Sequence, residues 1–347
     1  MRALITGITG MAGSHLAEHL LESTDWEVHG TLRWRSNREN LFACEGRLRL
    51  HECELKDPHA VLRLVQAIRP DRIYHLASQS NVAASWNAPQ ETLLNNITAQ
   101  LNLFEALRQL KLSATRILVA GSSEEYGLIY ENELPVKESN PFRPMSPYGV
   151  SKVAQDTLGF QYAVNYGMYI VRTRAFNHVG PRQGDVFVAS SFARQIVEIE
   201  MGKRPPMIRV GNLNAGRDFT DTRDVARAYA MALECCEAAD AYNIGSGRSH
   251  SVKEVLDTLL KMTRLIIEVQ EDPERIRPSD VPLVVSDSSK FMEKTGWRPQ
   301  IPFEQSLFDL LEYWRQRLRA GLRRGETGFS VLTQAVVERD RCFTPDR

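Results

Sequence analysis

Residues 6–13 read Thr6-Gly7-Ile8-Thr9-Gly10-Met11-Ala12-Gly13, three glycines at a spacing of three. The run before them, 2–6, is apolar, and the segment after them, 14–21, carries Leu16, Leu20 and Leu21 on one helical face. A strand that turns on glycine straight into a helix commits the start of the chain to a βαβ unit. Gly7 permits the tight turn, Gly10 lets a diphosphate approach bare backbone, and Gly13 lets helix and strand pack closely. The helix N-terminus then presents N–H donors and the positive end of its dipole. A glycine-rich turn without a ligand is the competing reading, and the strand-before, helix-after context weighs against it.

The alternation continues. β-Branched runs at 27–31, 47–53, 72–75, 116–120, 168–174 and 241–244 are interleaved with helical patterns at 91–110 and 151–165. Such alternation gives right-handed crossovers and a parallel sheet covered on both faces. The expected fold is α/β, a doubly wound (Rossmann) parallel sheet of about seven strands with ligands beyond their carboxyl ends. Past Pro181 the pattern loosens, with helices expected at 186–201 and 252–260 and a proline-punctuated loop at 276–282. Residues 1–182 plus about 218–247 are expected to form the dinucleotide-binding domain. About 183–217 and 248–320 would form a smaller, discontinuous substrate lobe, and 321–347 an Arg-rich tail that frays.

The 43 Lys and Arg balance the 43 Asp and Glu, so no net field draws nucleic acid or anionic lipid. No apolar run approaches the ~20 residues of a membrane span. Cys44, Cys53, Cys235, Cys236 and Cys342 are odd in number and lack paired CxxC spacing. That argues against a disulfide framework or a metal site and suits a reducing cytoplasm. Met1-Arg2 leads almost at once into ALITG, so no signal peptide is expected.

After the second expected strand, Gly30-Thr31-Leu32-Arg33-Trp34-Arg35-Ser36 has no acid to accept from a ribose 2′-hydroxyl. Arg33 and Arg35 suit a 2′-phosphate instead, which favours NADP(H); solvated arginines are the alternative. Glu54-Leu55, after the third strand, sets a carboxylate where an adenine amino group can donate. Tyr148 and Lys152 form a Y-x-x-x-K pair that shares one helix face. A neighbouring ammonium is expected to draw the phenol down from its ordinary pKa of ~10 towards the working range. Ser122 and Ser123 follow the fifth strand, at the sheet edge where ligands bind.

With these residues on hand, the chain resembles the extended short-chain dehydrogenase/reductases over about 2–318, and within them the branch acting on GDP-mannose derivatives. The matching stretches are TGITGMAG (6–13), HLASQS (75–80), GSSEEYG (121–127), SPYGVSK (146–152), FNHVGP (176–181), VGNLNAGRDFTD (210–221), RPSDVP (277–282) and TGWRPQIPFEQSL (295–307). The resemblance implies a hydroxyl–tyrosine–lysine triad of Ser122, Tyr148 and Lys152. It implies that Thr9, Met11, Leu76 and Ala77 join the glycines against the cofactor. It implies that Ser123, Asn177, Arg217, Arg277 and Asp280 contact a GDP-sugar. His75 is expected to be structural, and for His178 satisfying backbone groups is the competing reading.

The implied reaction is NADPH-dependent reduction of the C4 ketone of GDP-4-keto-6-deoxy-D-mannose. GDP-mannose 4,6-dehydration is the first alternative and a nucleotide-sugar 4-epimerase the second. A cofactor-sensing protein with a dead site is disfavoured, because all three triad residues are intact. Dehydratases of this branch carry an acid in the glycine loop, where this chain has Met11-Ala12, and RDW-G where it has Arg217-Asp218-Phe219-Thr220. Yet Ser122-Ser123-Glu124 follows their Thr-Ser-Glu, whose Glu removes the C5 proton. Glu124 is therefore either that base or a binding acid. Helices 91–110 and 151–165 resemble the pair that forms a four-helix interface, which implies a homodimer and possibly a tetramer.

Overall fold

The structure, a computed structural model, describes residues 1–272 and 281–320. In chain order the first half comprises β1 (Arg2–Thr6), α1 (Met11–Ser23), β2 (Glu27–Leu32), β3 (Arg49–Glu52), α2 (Pro58–Ile68), β4 (Arg72–His75), α3 (Val82–Asn87), α4 (Pro89–Gln109), β5 (Arg116–Ser122), α5 (Pro147–Tyr166) and β6 (Tyr169–Ala175). The second half comprises β7 (Asn177–Val179), α6 (Val188–Glu200), β8 (Met207–Val210), β9 (Gly216–Asp221), α7 (Thr222–Cys235), β10 (Ala241–Ile244), β11 (Ser249–Ser251), α8 (Val252–Lys261), β12 (Glu268–Glu271), β13 (Leu283–Val284) and α9 (Ser289–Thr295). A last helix begins at 303 and runs to residue 320.

Seven strands form one parallel sheet in the order β10-β6-β5-β4-β1-β2-β3. Period-two alternation sends neighbouring side chains to opposite faces, and both faces are buried. Ala3 and Ile5 join Leu16, Leu20, Ala226 and Tyr229 on the face covered by α1 and α7. Leu4 joins Val61, Leu103, Phe104 and Tyr162 on the face covered by α2, α4 and α5. The helices start where the sequence supplies caps. Asp57 accepts from His59 and Ala60 N–H ahead of Pro58, and Ser146 accepts from Gly149 N–H ahead of Pro147.

A second sheet lies past β6. β9 lies between β11 and β13, and its last residues also pair β7. The chain passes from main to second sheet within two residues, Ala175 closing β6 and Asn177 opening β7. A separate core of Phe192, Ile196, Ile208, Leu256, Leu311 and Trp314 underlies this region. Within 218–247, α7 packs on the main sheet and β10 extends its edge, whereas residues 218–221 pair in the second sheet. Asp221 explains the switch: it ends β9 and caps α7 by accepting from Arg223 N–H (2.8 Å). Among the described residues no helix is long and apolar enough to cross a membrane. Cys44, Cys53, Cys235 and Cys236 are free thiols.

Candidate active site

The glycine loop leaves β1 at a left-handed Gly7 (φ 71°). A Cβ on Gly7 would stand 2.9 Å from Ala77 Cα, so the turn abuts the backbone after β4. Gly13 is tighter still: its Cβ would meet Gly7 O at 2.4 Å and Ile8 Cα at 2.8 Å. Gly10, at the N-cap of α1, would meet only Gly7 O, at 3.2 Å. No side chain caps this helix and no acid sits in its first turn. The result is a backbone cradle at a helix start that no side chain caps. The Thr9 carbonyl accepts from Asn40 Nδ2 (2.9 Å), and Met11 Sδ accepts from the Thr222 hydroxyl (3.4 Å), tying the loop to its surroundings. Thr6 Oγ1 accepts from both Leu76 and Ala77 N–H (3.1 and 3.2 Å) and hydrogen-bonds His75 Nδ1 (2.9 Å). Burial, reinforced by the Lys152 charge, holds His75 down to about 3, so it is neutral.

Beyond the ends of β2 and β3 lies a cavity of about 510 Å³ lined by Arg33, Trp34, Arg35, Ser36, Glu52, Cys53, Glu54, Asp57 and Ala60. The Arg35 guanidinium stacks on Trp34 (4.1 Å), and the Arg33 N–H is held by Ser36 Oγ (3.0 Å). Leu55 instead packs in the core beneath α2 and α4. A backbone cradle, an uncapped helix start and a cavity with two arginines together fit a dinucleotide carrying a 2′-phosphate.

Ser122 closes β5, and Tyr148 and Lys152 lie on the first turns of α5, both nearly buried. Ser122 Oγ accepts the Glu124 N–H (3.2 Å). Lys152 Nζ donates to the Ala120 carbonyl (2.8 Å) and stands 5.8 Å from the Tyr148 ring centre. Burial draws Lys152 down to about 8, opposed by Glu125. Here the structure departs from the sequence expectation. Burial pushes the Tyr148 phenol up rather than down, with a hydrogen bond to Ser122 opposing and Glu124 and Glu125 reinforcing. In this state the Lys152 ammonium is turned to the Ala120 carbonyl, and burial sets the direction of the phenol.

Ser123 and the half-buried Glu124 lie in the 3₁₀ turn after β5. The Glu124 carbonyl is so close to Gly149 that a Cβ there would stand 2.6 Å away, which locks the turn onto α5. Exposed Asn177 opens β7, and His178 Nδ1 donates to the Phe176 carbonyl (3.2 Å), with burial lowering its pKa. Arg217, on β9, donates to the Gly216 and Val281 carbonyls (2.8 and 2.7 Å). Arg277 and Asp280 lie outside the described residues.

Sequence reasoning missed three carboxylates. Asp218, on β9, is fully buried and accepts from Ser246 and Gly247 N–H and from the Ser286 N–H and hydroxyl, tying two loops to the strand. Asp156, on α5, is paired with Arg172 and Arg174 of β6. Glu125, beside Glu124, is fully buried. The available signal was Arg172 and Arg174 two apart in an apolar strand, hence on one buried face and in need of acids.

Residues 4–310 match the family described as GDP-mannose 4,6 dehydratase. The chain is 32% identical over 319 residues to the GDP-6-deoxy-D-mannose reductase of Pseudomonas aeruginosa, covering 92% of this chain and 98% of that one. It is 36% identical over 318 residues to GDP-mannose 4,6 dehydratase 1 of Arabidopsis thaliana, covering 87% and 86%. Among solved structures, RMD from Pseudomonas aeruginosa complexed with NADPH superposes with a TM-score of 0.80 at 32% identity, over 91% of this chain and 99% of that one. The UDP-glucose 4-epimerase of Thermotoga maritima, solved with UDP-glucose, gives 0.83 at 28% identity over 92% and 100%. The seven-stranded parallel sheet agrees with these matches, and the chain belongs to the GDP-mannose 4,6-dehydratase family of extended short-chain dehydrogenase/reductases.

Proposed function

We propose that this protein is an NADP(H)-dependent enzyme that reduces the C4 ketone of a GDP-4-keto-6-deoxyhexose. The observation that carries the redox reading is the Ser122–Tyr148–Lys152 cluster, in which Tyr148 is hydrogen-bonded to Ser122 and both Tyr148 and Lys152 are nearly buried. Bound NADPH supplies the hydride. Ser122 hydrogen-bonds the ketone oxygen and orients it against Tyr148. The phenol, which burial keeps protonated, gives that oxygen its proton. Lys152 supplies the positive charge that stabilises the phenolate left behind. Asn177, at the start of β7, and Arg217, on β9, are assigned to the sugar diphosphate, with Arg277 and Asp280 as further contacts. A protonated phenol suits reduction, as does the absence of an acid in the first turn of α1.

The second reading is GDP-mannose 4,6-dehydration, favoured by Glu124, which stands at the cluster with Ser122 and Ser123. Supplying GDP-4-keto-6-deoxymannose with NADPH, and separately GDP-mannose with NADP⁺, separates the two. Consumption of the ketone with loss of NADPH supports reduction. Conversion of GDP-mannose to its 4-keto-6-deoxy product without net cofactor turnover contradicts it.

Arg33 and Arg35 at the cavity beyond β2 give an expected preference for NADPH over NADH. A charge-assisted contact to the 2′-phosphate contributes on the order of 1.5–3 kcal/mol, roughly 10- to 150-fold in affinity. Fluorescence titration with both cofactors checks this, and equal affinity contradicts it. A homodimer is also proposed. Val150, Val153, Thr157, Phe160 and Val164 follow a three-four spacing along α5, and Val150, Phe160 and Val164 are exposed. Leu94, Ile97 and Leu101 continue an apolar stripe on α4. Light scattering should give twice the 39.4 kDa chain mass, falling to the monomer in Phe160→Asp with Val164→Asp.

A further inference from the structure

We propose that Asp218 is a positioning residue for the GDP-sugar site: its buried side chain holds in place the two segments that flank β9 and so sets the guanidinium of its neighbour, Arg217. Asp218 is fully buried, whereas Arg217 is half-buried. The Asp218 carboxylate takes five hydrogen bonds, all from the two flanking segments. Oδ1 accepts from the Ser246 N–H (2.8 Å) and hydroxyl (2.6 Å). Oδ2 accepts from the Gly247 N–H (3.0 Å) and from the Ser286 N–H (3.0 Å) and hydroxyl (2.6 Å). A carboxylate is tolerated inside a fold when its oxygens are met in this way. Gly245 lets the segments close on it: a Cβ there would stand 2.3 Å from Ser286 Oγ and 2.9 Å from Asp218 Oδ2.

Each segment leads to something the site needs. Ser246 and Gly247 lie in the connection from β10, the edge strand of the main sheet, to β11 of the second sheet. β11 then pairs β9, with Ser249 opposite Asp218 and His250 opposite Arg217. Ser286 lies two residues past β13, in which Val284 stands opposite Arg217. The start of that same segment is bonded to β9 as well. The Pro282 carbonyl accepts the Gly216 N–H (2.8 Å), and the Val281 carbonyl accepts from Arg217 Nη1 (2.7 Å). Residues 281–286 are therefore tied to β9 on both sides of Arg217, by Gly216 before it and by Asp218 after it. Val136 clasps the segment in turn, its N–H donating to the Val285 carbonyl (2.8 Å) and its carbonyl accepting the Asp287 N–H (2.8 Å). Asp218 is the side chain that ties Ser286 to the strand of Arg217, and with it the Val281 carbonyl that aims the guanidinium. Through Ser246 and Gly247 it also fixes that strand against the end of β10. Being fully buried, it acts on a ligand through Arg217.

The inference rests on the assignment of Arg217 to the sugar diphosphate, and its test keeps the two apart. GDP and NADPH affinities are measured by calorimetry in the wild type, Asp218→Ala, Asp218→Asn, Ser286→Ala and Arg217→Ala. Melting temperatures are recorded alongside, with KM and kcat for GDP-4-keto-6-deoxymannose. A misplaced guanidinium forfeits a charge-assisted phosphate contact, so Asp218→Ala should weaken GDP and raise KM by roughly tenfold or more. NADPH affinity and kcat should stay near the wild type. Asp218→Asn returns one oxygen, but its NH₂ must face either the Ser246 N–H or the Gly247 and Ser286 N–H groups. Its GDP affinity should therefore fall between those of the wild type and the Ala variant, as should that of Ser286→Ala. A lowered melting temperature with GDP affinity and KM unmoved would mark a purely structural role and overturn the inference. Equal losses of GDP and NADPH affinity would overturn it too. If Asp218→Ala does not fold, unmoved GDP affinity in both Asp218→Asn and Ser286→Ala is decisive against it. Unmoved GDP affinity in Arg217→Ala instead sinks the assignment of that arginine and the inference with it, whereas a loss there with none in the Asp218 variants sinks the inference alone.

Discussion

Replacing Tyr148 with Phe is expected to lower turnover by roughly 10²–10⁴-fold while leaving NADPH affinity within a few-fold of the wild type. The ring stays, so α5 keeps its packing against the end of β5. Only the hydroxyl that is hydrogen-bonded to Ser122 is lost. No neighbour can take over its role. Ser122 Oγ faces the Glu124 N–H, and the Lys152 ammonium is turned to the Ala120 carbonyl. Steady-state kinetics and a cofactor titration on the same preparation check both halves. Turnover near the wild-type rate would mean that the spacing of Tyr148 and Lys152 is accidental, and a lost cofactor affinity would mean that the ring had moved.

Gly13→Ala is expected to damage stability and cofactor binding together. The added Cβ would meet main-chain atoms, Gly7 O at 2.4 Å and Ile8 Cα at 2.8 Å, neither of which can rotate away. Overpacking of this kind costs about 1–3 kcal/mol. The backbone that must shift is the cradle itself, so NADPH affinity should weaken by at least about tenfold, which is ~1.4 kcal/mol. Gly10→Ala is the control. Its Cβ would meet only Gly7 O at 3.2 Å, with an ordinary φ of −72°, so the fold should tolerate it while the approach of a diphosphate is obstructed. Melting curves and cofactor titrations on the two variants should therefore separate: Gly13→Ala loses both properties and Gly10→Ala chiefly affinity. Equal melting temperatures for wild type and Gly13→Ala would contradict this account of the loop.

The sheet was legible because its inner strands are largely buried on both faces, and the alternation of strand and helix leaves few topologies. Runs 2–6, 72–75 and 241–244 coincide with β1, β4 and β10. The second sheet was not legible. β7, β9 and β11 have three to six residues each and are rich in polar side chains, so what makes them strands is pairing with distant partners. The Arg217–Thr220 stretch therefore read as a ligand motif alone, although Asp218 and Asp221 serve as a loop anchor and a helix cap. Of α2 and α7 the caps Asp57 and Asp221 were the available signal. In the candidate site, spacing along one helix brought Tyr148 and Lys152 to one face, as helical geometry requires. Spacing could not reveal the Ala120 carbonyl that takes the ammonium, nor the burial that raises the phenol. The carbonyl belongs to β5, some thirty positions earlier in the chain, and the burial arises only once the chain is folded.

The measurement that bears most directly on the proposed reaction is the isotopic outcome at C5. GDP-4-keto-6-deoxymannose and NADPH are incubated with the protein in deuterated water, and the product is read by mass and proton spectra. Reduction at C4 needs one hydride and one proton there and nothing at C5. The account therefore predicts efficient NADPH consumption, a C5 position that still carries its original hydrogen, and most of the activity retained in Glu124→Gln. Efficient conversion of GDP-mannose with NADP⁺, deuterium at C5 and loss of that conversion in Glu124→Gln would contradict it and assign the protein to dehydration.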